Sequence, residues 1–194
     1  MQIQRLITSI DVQKLKQRAR LLKKRDGIAH HEALDRVAAE VGFHHWHHVA
    51  DSAKAFAPTE KAYFFGTIIA MDVKDGMDFH DESGVFVEDD SAFVLCGPDM
   101  YYQMRVEEGG EVDPSDAAYK ADLDEWMMDD AMDWMFFRLS EEVKVKDVAD
   151  VLARVRQCCF WPPECIWHEG VFEDCLEETA FDAEGNLAGV RFTL

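Results

Sequence analysis

Apolar residues recur at helical spacing through the first 55 residues. The clearest stripe consists of Val12, Leu15, Ala19 and Leu22. It predicts a helix that begins near Asp11 and ends at Gly27, because residues three and four apart share one face of a helix. A second helix is predicted over residues 30–41, with Gly42 as its cap, and a short third helix over residues 43–50. These three helices are expected to pack as a small bundle.

The pattern changes after residue 57 to short runs of strand-forming residues. Residues 56–60 contain Pro58 and are predicted to be a linker. Strands are then expected within residues 62–71, 84–96 and 100–107. These segments are rich in aromatic and β-branched side chains, which favour strands. The middle segment is predicted to form two strands joined by a tight turn at Asp89 and Asp90.

The rest of the chain is predicted to be mainly helical. A long helix is expected over residues 115–139, a second over residues 145–159, and a hairpin over residues 178–194. Successive strands followed by successive helices indicate an α+β fold, with two main helices on one face of an antiparallel sheet. The expected organisation is a small three-helix module, residues 1–57, followed by an α+β domain, residues 58–194.

Charge divides the chain at nearly the same place. Residues 1–61 carry 11 Lys and Arg against 7 Asp and Glu, a net of +4, and residues 62–194 carry 9 against 32, a net of −23. Together they give the formal charge of −19. A field of that sign and size favours encounters with basic surfaces. The 13 Phe and 5 Trp indicate that the acidic part is folded, because disordered acidic segments are poor in aromatic residues.

The sequence shows no pattern typical of a secretion signal or a membrane span. We therefore expect a cytoplasmic protein whose five cysteines are reduced thiols. We find no phosphate-binding glycine loop and no catalytic constellation, so we expect neither a cofactor nor an enzymatic activity.

The N-terminal segment resembles a small helical module of bacterial plasmid and mobile-element proteins, often labelled a glyoxalase-related domain. The resemblance is carried by Leu15, Lys16, Ala19, Leu22, Gly27, Ile28, His30, Ala33, Leu34, Ala38, Gly42, Phe43 and Trp46. It covers residues 11–55, about a quarter of the chain, and does not extend to the acidic part. It implies a fold and a mobile-element setting, and gives no basis for predicting a lyase.

The first predicted helix has a basic outer face. The cations on which nucleic-acid binding would depend are Arg18, Arg20, Lys23 and Lys24. Three short helices with such a face are compatible with helix-turn-helix geometry and with phosphate contacts. Alternatively, this face is simply solvated or docks on an acidic surface, since the acidic domain would repel a duplex.

Three groups of residues have the chemistry of metal or catalytic sites. Their members are His44, His45 and His48; Cys158, Cys159, Cys165, His168 and Cys175; and Asp78, His80 and Asp81. The histidines have spacings that can hold zinc on a helix, but no nearby cysteine completes a set of four ligands. The cysteine spacing is irregular, so buried thiols are the simpler interpretation, and metal binding there stays open. Acidic loops such as the third group are common without any chemistry.

The predicted long helix carries a row of carboxylates. At about 100° per residue, the row consists of Asp122, Glu125, Asp129 and Asp133, and a separate apolar stripe consists of Tyr119, Leu123, Trp126, Met127, Trp134 and Phe137. A second acidic patch consists of Glu107, Glu108 and Glu111. The row is interpreted as a solubilising surface, as a mimic of a nucleic-acid backbone or as a divalent-ion site. Asp130 projects among the aromatic residues and needs a partner, for which Arg138 and Arg105 are the candidates.

These observations favour a non-enzymatic mobile-element protein that binds and inhibits a basic, nucleic-acid-handling host protein. Such a protein would use its negative charge as anti-CRISPR and antirestriction inhibitors do, with acidic side chains that occupy a groove built for phosphates. The alternative is a DNA-binding regulator that uses the basic N-terminal helices. A third possibility, a metal-dependent enzyme, requires a bound metal. The sequence leaves open the identity of the partner, the oligomeric state, and whether the basic and acidic parts dock on each other.

Overall fold

The computed structural model describes residues 5–109 and 112–175. Within these ranges the chain forms seven α-helices and five β-strands. It divides into two compact units, Met1–Glu60 and Lys61–Leu194. None of the helices in the described ranges has the length and apolar character needed to cross a bilayer.

The first unit begins with two helices that the sequence predicts. They are α1 (Ser9–Asp26) and α2 (His30–Glu40). Gly27 ends α1 with a φ of 67°, and its N–H donates to the Lys23 carbonyl oxygen at 3.0 Å. The buried core of this unit consists of Ile7, Val12, Leu15, Ala19, Ala33, Val37, Ala38, Phe43 and Val49.

The predicted linker is wrong, because the third helix continues through it. This helix, α3 (Trp46–Phe65), contains Pro58 in its interior. Two polar side chains on it are buried and bonded: the Ser52 hydroxyl donates to a backbone carbonyl, and Glu60 Oε1 accepts from the Ser9 N–H at 2.8 Å. These polar residues interrupt the apolar periodicity, which is why the sequence predicts a helix that is too short.

The second unit is centred on a five-stranded antiparallel sheet. Its strands, β1 to β5, are Thr67–Asp72, Phe86–Glu88, Trp134–Leu139, Cys165–His168 and Val171–Asp174. Their order is β2-β3-β1-β4-β5, so β1 lies in the centre. Ala70 of β1 is opposite Phe136 of β3 and Cys165 of β4. The predicted α+β class is confirmed.

Helices cover both faces of the sheet, so the prediction that they lie on one face is wrong. They are α4 (Val73–Gly76), α5 (Phe93–Glu107), α6 (Ala117–Asp129) and α7 (Val148–Cys158). Ile68 and Ala70 face the core formed with α5, against which α6 also packs. Ile69 and Met71 face the opposite core, which α7 covers. A strand buried on both faces has a continuous apolar run instead of an alternating pattern.

Two predicted strands are helical, and part of a predicted helix is a strand. Residues 93–96 and 100–107 belong to α5, whose side chains pack inward at helical spacing, so tertiary packing overrides strand propensity. The helix predicted over residues 115–139 ends at Asp129, and a 3₁₀ turn at Asp130–Met132 leads into β3.

The C-terminal part of the described chain has one confirmed and one unpredicted element. α7 confirms the helix predicted over residues 145–159. β4 and β5 form a hairpin through Glu169 and Gly170, both of which have positive φ. The sequence pattern does not predict this hairpin, and the hairpin predicted over residues 178–194 lies outside the described residues.

Candidate partner-binding surfaces

The predicted row of carboxylates is exposed but is not continuous along one helix. Asp122, Glu125 and Asp129 lie on one side of α6, and all three are exposed. Asp133 is also exposed, but it caps the 3₁₀ turn that precedes β3. The prediction of four carboxylates on one helical stripe is therefore wrong for Asp133.

The carboxylates between residues 122 and 133 have no cationic partner in the part of the chain that the structure describes. They are Asp122, Asp124, Glu125, Asp129, Asp130 and Asp133. The nearby cations are engaged elsewhere: Arg138 pairs with Asp89 at 3.0 Å, and Lys120 Nζ donates to the Ser115 carbonyl oxygen at 2.8 Å. We call these six residues the acidic surface.

The acidic surface lies where a helix tolerates negative charge least. Glu125, Asp129 and Asp130 are at the C-terminal end of α6, which carries the negative end of the helix dipole. Partial burial, and then the neighbouring carboxylates of Asp133 and Asp129, raise the pKa of Asp130. The predicted partners of Asp130 are wrong, since Arg138 and Arg105 both pair with other carboxylates.

Methionines, not aromatic rings, are the exposed apolar groups of this region. The ring centroids of Trp126 and Tyr119 lie 5.6 and 5.2 Å from that of Tyr101 on α5, so both rings face that helix. Met128 and Met132 are 74% and 83% exposed. The predicted aromatic stripe contributes to the core, and the part of it beyond α6 belongs to β3.

The second acidic patch is partly neutralised. Glu107 accepts a hydrogen bond from Gln103 Nε2 at 2.8 Å, and Glu108 lies 3.5 Å from Arg105 Nε. Glu111 lies outside the described residues. These carboxylates are weaker candidates for a partner than the acidic surface is.

The basic face of α1 divides into paired and unpaired cations. Arg18 pairs with Glu40 of α2. Arg20, Lys23 and Lys24 are exposed and make no ion pair with any described residue. Lys23 and Lys24 lie in the last turn of α1, where positive charge stabilises the helix.

The cysteines and His168 do not converge on one point. Cys165 packs in the core on one face of the sheet, and Cys159 packs in the core on the other face. Burial raises the pKa of both thiols, which disfavours the thiolate that metal binding and nucleophilic attack require. His168 Nδ1 lies 2.9 Å from the hydroxyl of Thr67. Across residues 5–109 and 112–175, no three candidate ligands come together as a metal site.

The acidic loop after α4 has a structural role. Asp81 Oδ2 accepts the Phe86 N–H at 2.6 Å, and Asp81 Oδ1 accepts the Ser83 N–H at 2.8 Å. Burial opposes ionisation of Asp81, but these hydrogen bonds outweigh it and lower the pKa. Through these hydrogen bonds the Asp81 carboxylate organises the chain before β2.

The half-buried carboxylate of Asp99 is a polar group of the second unit that the sequence does not predict. Asp99 Oδ2 accepts hydrogen bonds from Tyr63 Oη at 2.7 Å and from Trp167 Nε1 at 2.9 Å. Burial, together with the hydrogen bond to Asp99, raises the pKa of Tyr63. No signal in the sequence marks Asp99, because its partners are 36 and 68 residues away.

No protein-family model, curated protein or solved structure matches this chain. The resemblance of residues 11–55 to the glyoxalase-related module therefore stays a prediction.

Proposed function

We propose that the protein is a non-enzymatic inhibitor that binds a basic, nucleic-acid-handling protein through the acidic surface. The observation that carries this proposal is that six exposed or half-exposed carboxylates within 12 residues have no cationic partner among the described residues. A partner whose groove is lined by Arg and Lys to hold phosphates would supply the missing positive charge.

The clustered carboxylates do not stabilise the fold. Like charges three or four residues apart each cost a few tenths of a kcal/mol, and a carboxylate at a helix C-terminus costs about 0.3–1 kcal/mol. Asp122, Glu125 and Asp129 repel one another along α6, and Asp129 also lies in its last turn. Residues that weaken their own helix are expected to be retained for an interaction outside the chain.

Met128 and Met132 supply the apolar contact that binding by charge alone lacks. Exposed ion pairs contribute little affinity because water and salt screen them, whereas a buried apolar anchor contributes more. Both methionines are interspersed with the carboxylates in sequence and are largely exposed. Their flexible side chains suit a contact that adapts to the partner surface.

The test compares two variants of equal charge. The first neutralises the row: Asp122→Asn, Glu125→Gln, Asp129→Asn and Asp133→Asn. The control neutralises four exposed carboxylates elsewhere in the second unit: Glu82→Gln, Glu88→Gln, Glu142→Gln and Glu169→Gln. Both variants lose four negative charges, so the formal charge changes from −19 to −15 in each.

Each immobilised chain is exposed to nuclease-treated bacterial lysate at low salt and at about 0.5 M NaCl, where surface charges are screened. The proposal expects a nucleic-acid-binding protein to be retained by the parent and the control at low salt only, and not by the row variant. The purified parent chain is then expected to prevent that protein from binding its nucleic acid. Equal retention by the row variant and the control contradicts the proposal.

A DNA-binding regulator is the second candidate, favoured by Arg20, Lys23 and Lys24, which are exposed and make no ion pair with any described residue. It predicts that the chain binds a labelled duplex at low salt, and that affinity falls steeply as salt rises. Replacing these three cations by Gln is expected to abolish that binding. Absence of binding to any duplex at low salt excludes this candidate.

A further inference from the structure

The start of α3 is capped by an imidazole. His45 is the residue before α3, and its Nδ1 accepts the backbone N–H of His48 at 3.1 Å. The same N–H also reaches the His45 carbonyl oxygen at 3.1 Å. This is the position at which Ser, Thr, Asp or Asn ordinarily caps a helix. A histidine here makes the cap depend on its own state of protonation.

A ring nitrogen accepts a hydrogen bond only when it carries no proton. Protonation of His45 at Nδ1 would direct an N–H at the N–H of His48 and would place positive charge at the positive end of the helix dipole. We propose that His45 is a pH-dependent cap, which holds the first turn of α3 when neutral and releases it when protonated.

Other titratable groups surround this ring. Asp35 of α2 accepts the Trp46 N–H at 2.8 Å and caps the same helix end. His47 and His48 have ring centroids 6.4 and 6.3 Å from that of His45. Two groups lie beyond these neighbours. The His44 ring stacks on the His48 ring at a centroid distance of 5.7 Å, and an Asp51 carboxylate oxygen lies 3.7 Å from His47 Nε2.

These neighbours have opposite effects on a protonated His45. The nearby imidazoles add repulsion when they are also charged, whereas the Asp35 carboxylate attracts positive charge. Asp35 bonds the Trp46 N–H and does not replace the imidazole acceptor, so the His48 N–H keeps only its bond to the His45 carbonyl oxygen. The cap therefore weakens as pH falls and His45 gains a proton.

The cap is connected to the core of the first unit. The His48 ring meets the ring of Phe43 edge-on at a centroid distance of 5.2 Å, and Phe43 is buried. Val49, the next residue of α3, is fully buried in the same core. Loss of the first turn of α3 is thus expected to loosen the packing of the unit and not only its surface.

The experiment is native-state hydrogen exchange of the full chain at about pH 7.5 and about pH 5.5, on either side of the imidazole titration. Protection factors remove the intrinsic pH dependence of exchange. The amides of the first two turns of α3 are compared with those of β1. In the parent chain, protection of the α3 amides is expected to fall roughly tenfold more than that of β1, a size set by the loss of one cap.

Two variants make the test specific. His45→Asn keeps a capping acceptor that does not titrate, so protection at about pH 7.5 is kept and the extra loss at low pH disappears. His47→Asn retains the cap and removes both a neighbouring imidazole and the charge pair that a protonated His47 makes with Asp51, so the loss at low pH is kept or enlarged. Equal pH dependence of the parent and His45→Asn overturns the proposal. A fall in protection of His45→Asn at about pH 7.5, relative to the parent, also overturns it.

Discussion

Glu164 lies where three other carboxylates make its charge unfavourable. It is half-buried at the start of β4, and its backbone bonds to Ala70 and Cys175 hold it in place. Burial, and then repulsion from Asp72 and Asp75 and more weakly from a third aspartate, raises the pKa of Glu164 to about 7. The perturbation is Glu164→Gln, which keeps the shape of the side chain and its backbone bonds and removes the charge.

The number of protons bound in each state decides how the free energy of unfolding changes with pH. Between about pH 4.5 and pH 7 the folded chain keeps a proton on Glu164 that the unfolded chain has lost. The free energy of unfolding therefore falls as pH rises through this window and is constant above it. A rise from 4.5 to about 7 corresponds to roughly 3 kcal/mol at about 1.36 kcal/mol per pH unit. Solvent reaches this half-buried group and screens it, so we expect Glu164→Gln to stabilise the fold by about 1–2 kcal/mol at pH 8.

The assay is urea unfolding at about pH 8 and about pH 5 at fixed ionic strength, followed by tryptophan fluorescence. Glu164→Gln is expected to raise the unfolding midpoint clearly at the higher pH and much less at the lower pH, which lies near the bottom of this window. Glu88→Gln makes the same replacement at an exposed position on β2 and is expected to change neither. If Glu164→Gln gives no stabilisation at the higher pH, or the same gain at both, the electrostatic reasoning fails.

Two further predictions concern packing and backbone. Asp99→Ala leaves the Tyr63 hydroxyl and the Trp167 indole N–H without their acceptor and is expected to cost about 2–4 kcal/mol in urea unfolding, whereas Asp99→Asn keeps an acceptor oxygen and costs less. Gly170→Ala is expected to cost about 1–2 kcal/mol because its φ of 78° is unfavourable for a side chain, although a Cβ there meets only ordinary contacts. A loss below about 0.5 kcal/mol, the size of a neutral surface change, contradicts either prediction.

The sequence predicts elements well where one periodic signal decides them. Gly27 ends α1 as expected, and the apolar stripe of that helix is buried as predicted. Prediction fails at α3 because Ser52 and Glu60 are polar on the buried side, and their bonds to the N-terminal segment cannot be seen in a local pattern. The prediction for α5 is wrong for the opposite reason. Its aromatic and β-branched residues favour a strand, but packing against the sheet stabilises a helix.

In the candidate site, too, local features are predicted from the sequence and long-range features are not. The exposure of Asp122, Glu125 and Asp129 follows from their helical spacing, so the sequence predicts it. The change from helix to strand between Asp129 and Trp134 does not follow, since a short apolar run in a strand buried on both faces has no distinguishing period. The ion pair of Arg138 with Asp89, which leaves Asp130 without its predicted partner, joins residues 49 positions apart.

The central position of β1 has a consequence for synthesis on the ribosome. β1 ends at Asp72, but the strands on its two sides end only at Leu139 and His168. At roughly 5–20 residues per second, the 96 residues between positions 72 and 168 take about 5–20 s to make. During that time β1, the most deeply buried of the described strands, lacks both neighbours until β3 is complete and then still lacks β4. The nascent chain is therefore expected to need a chaperone until β4 has emerged.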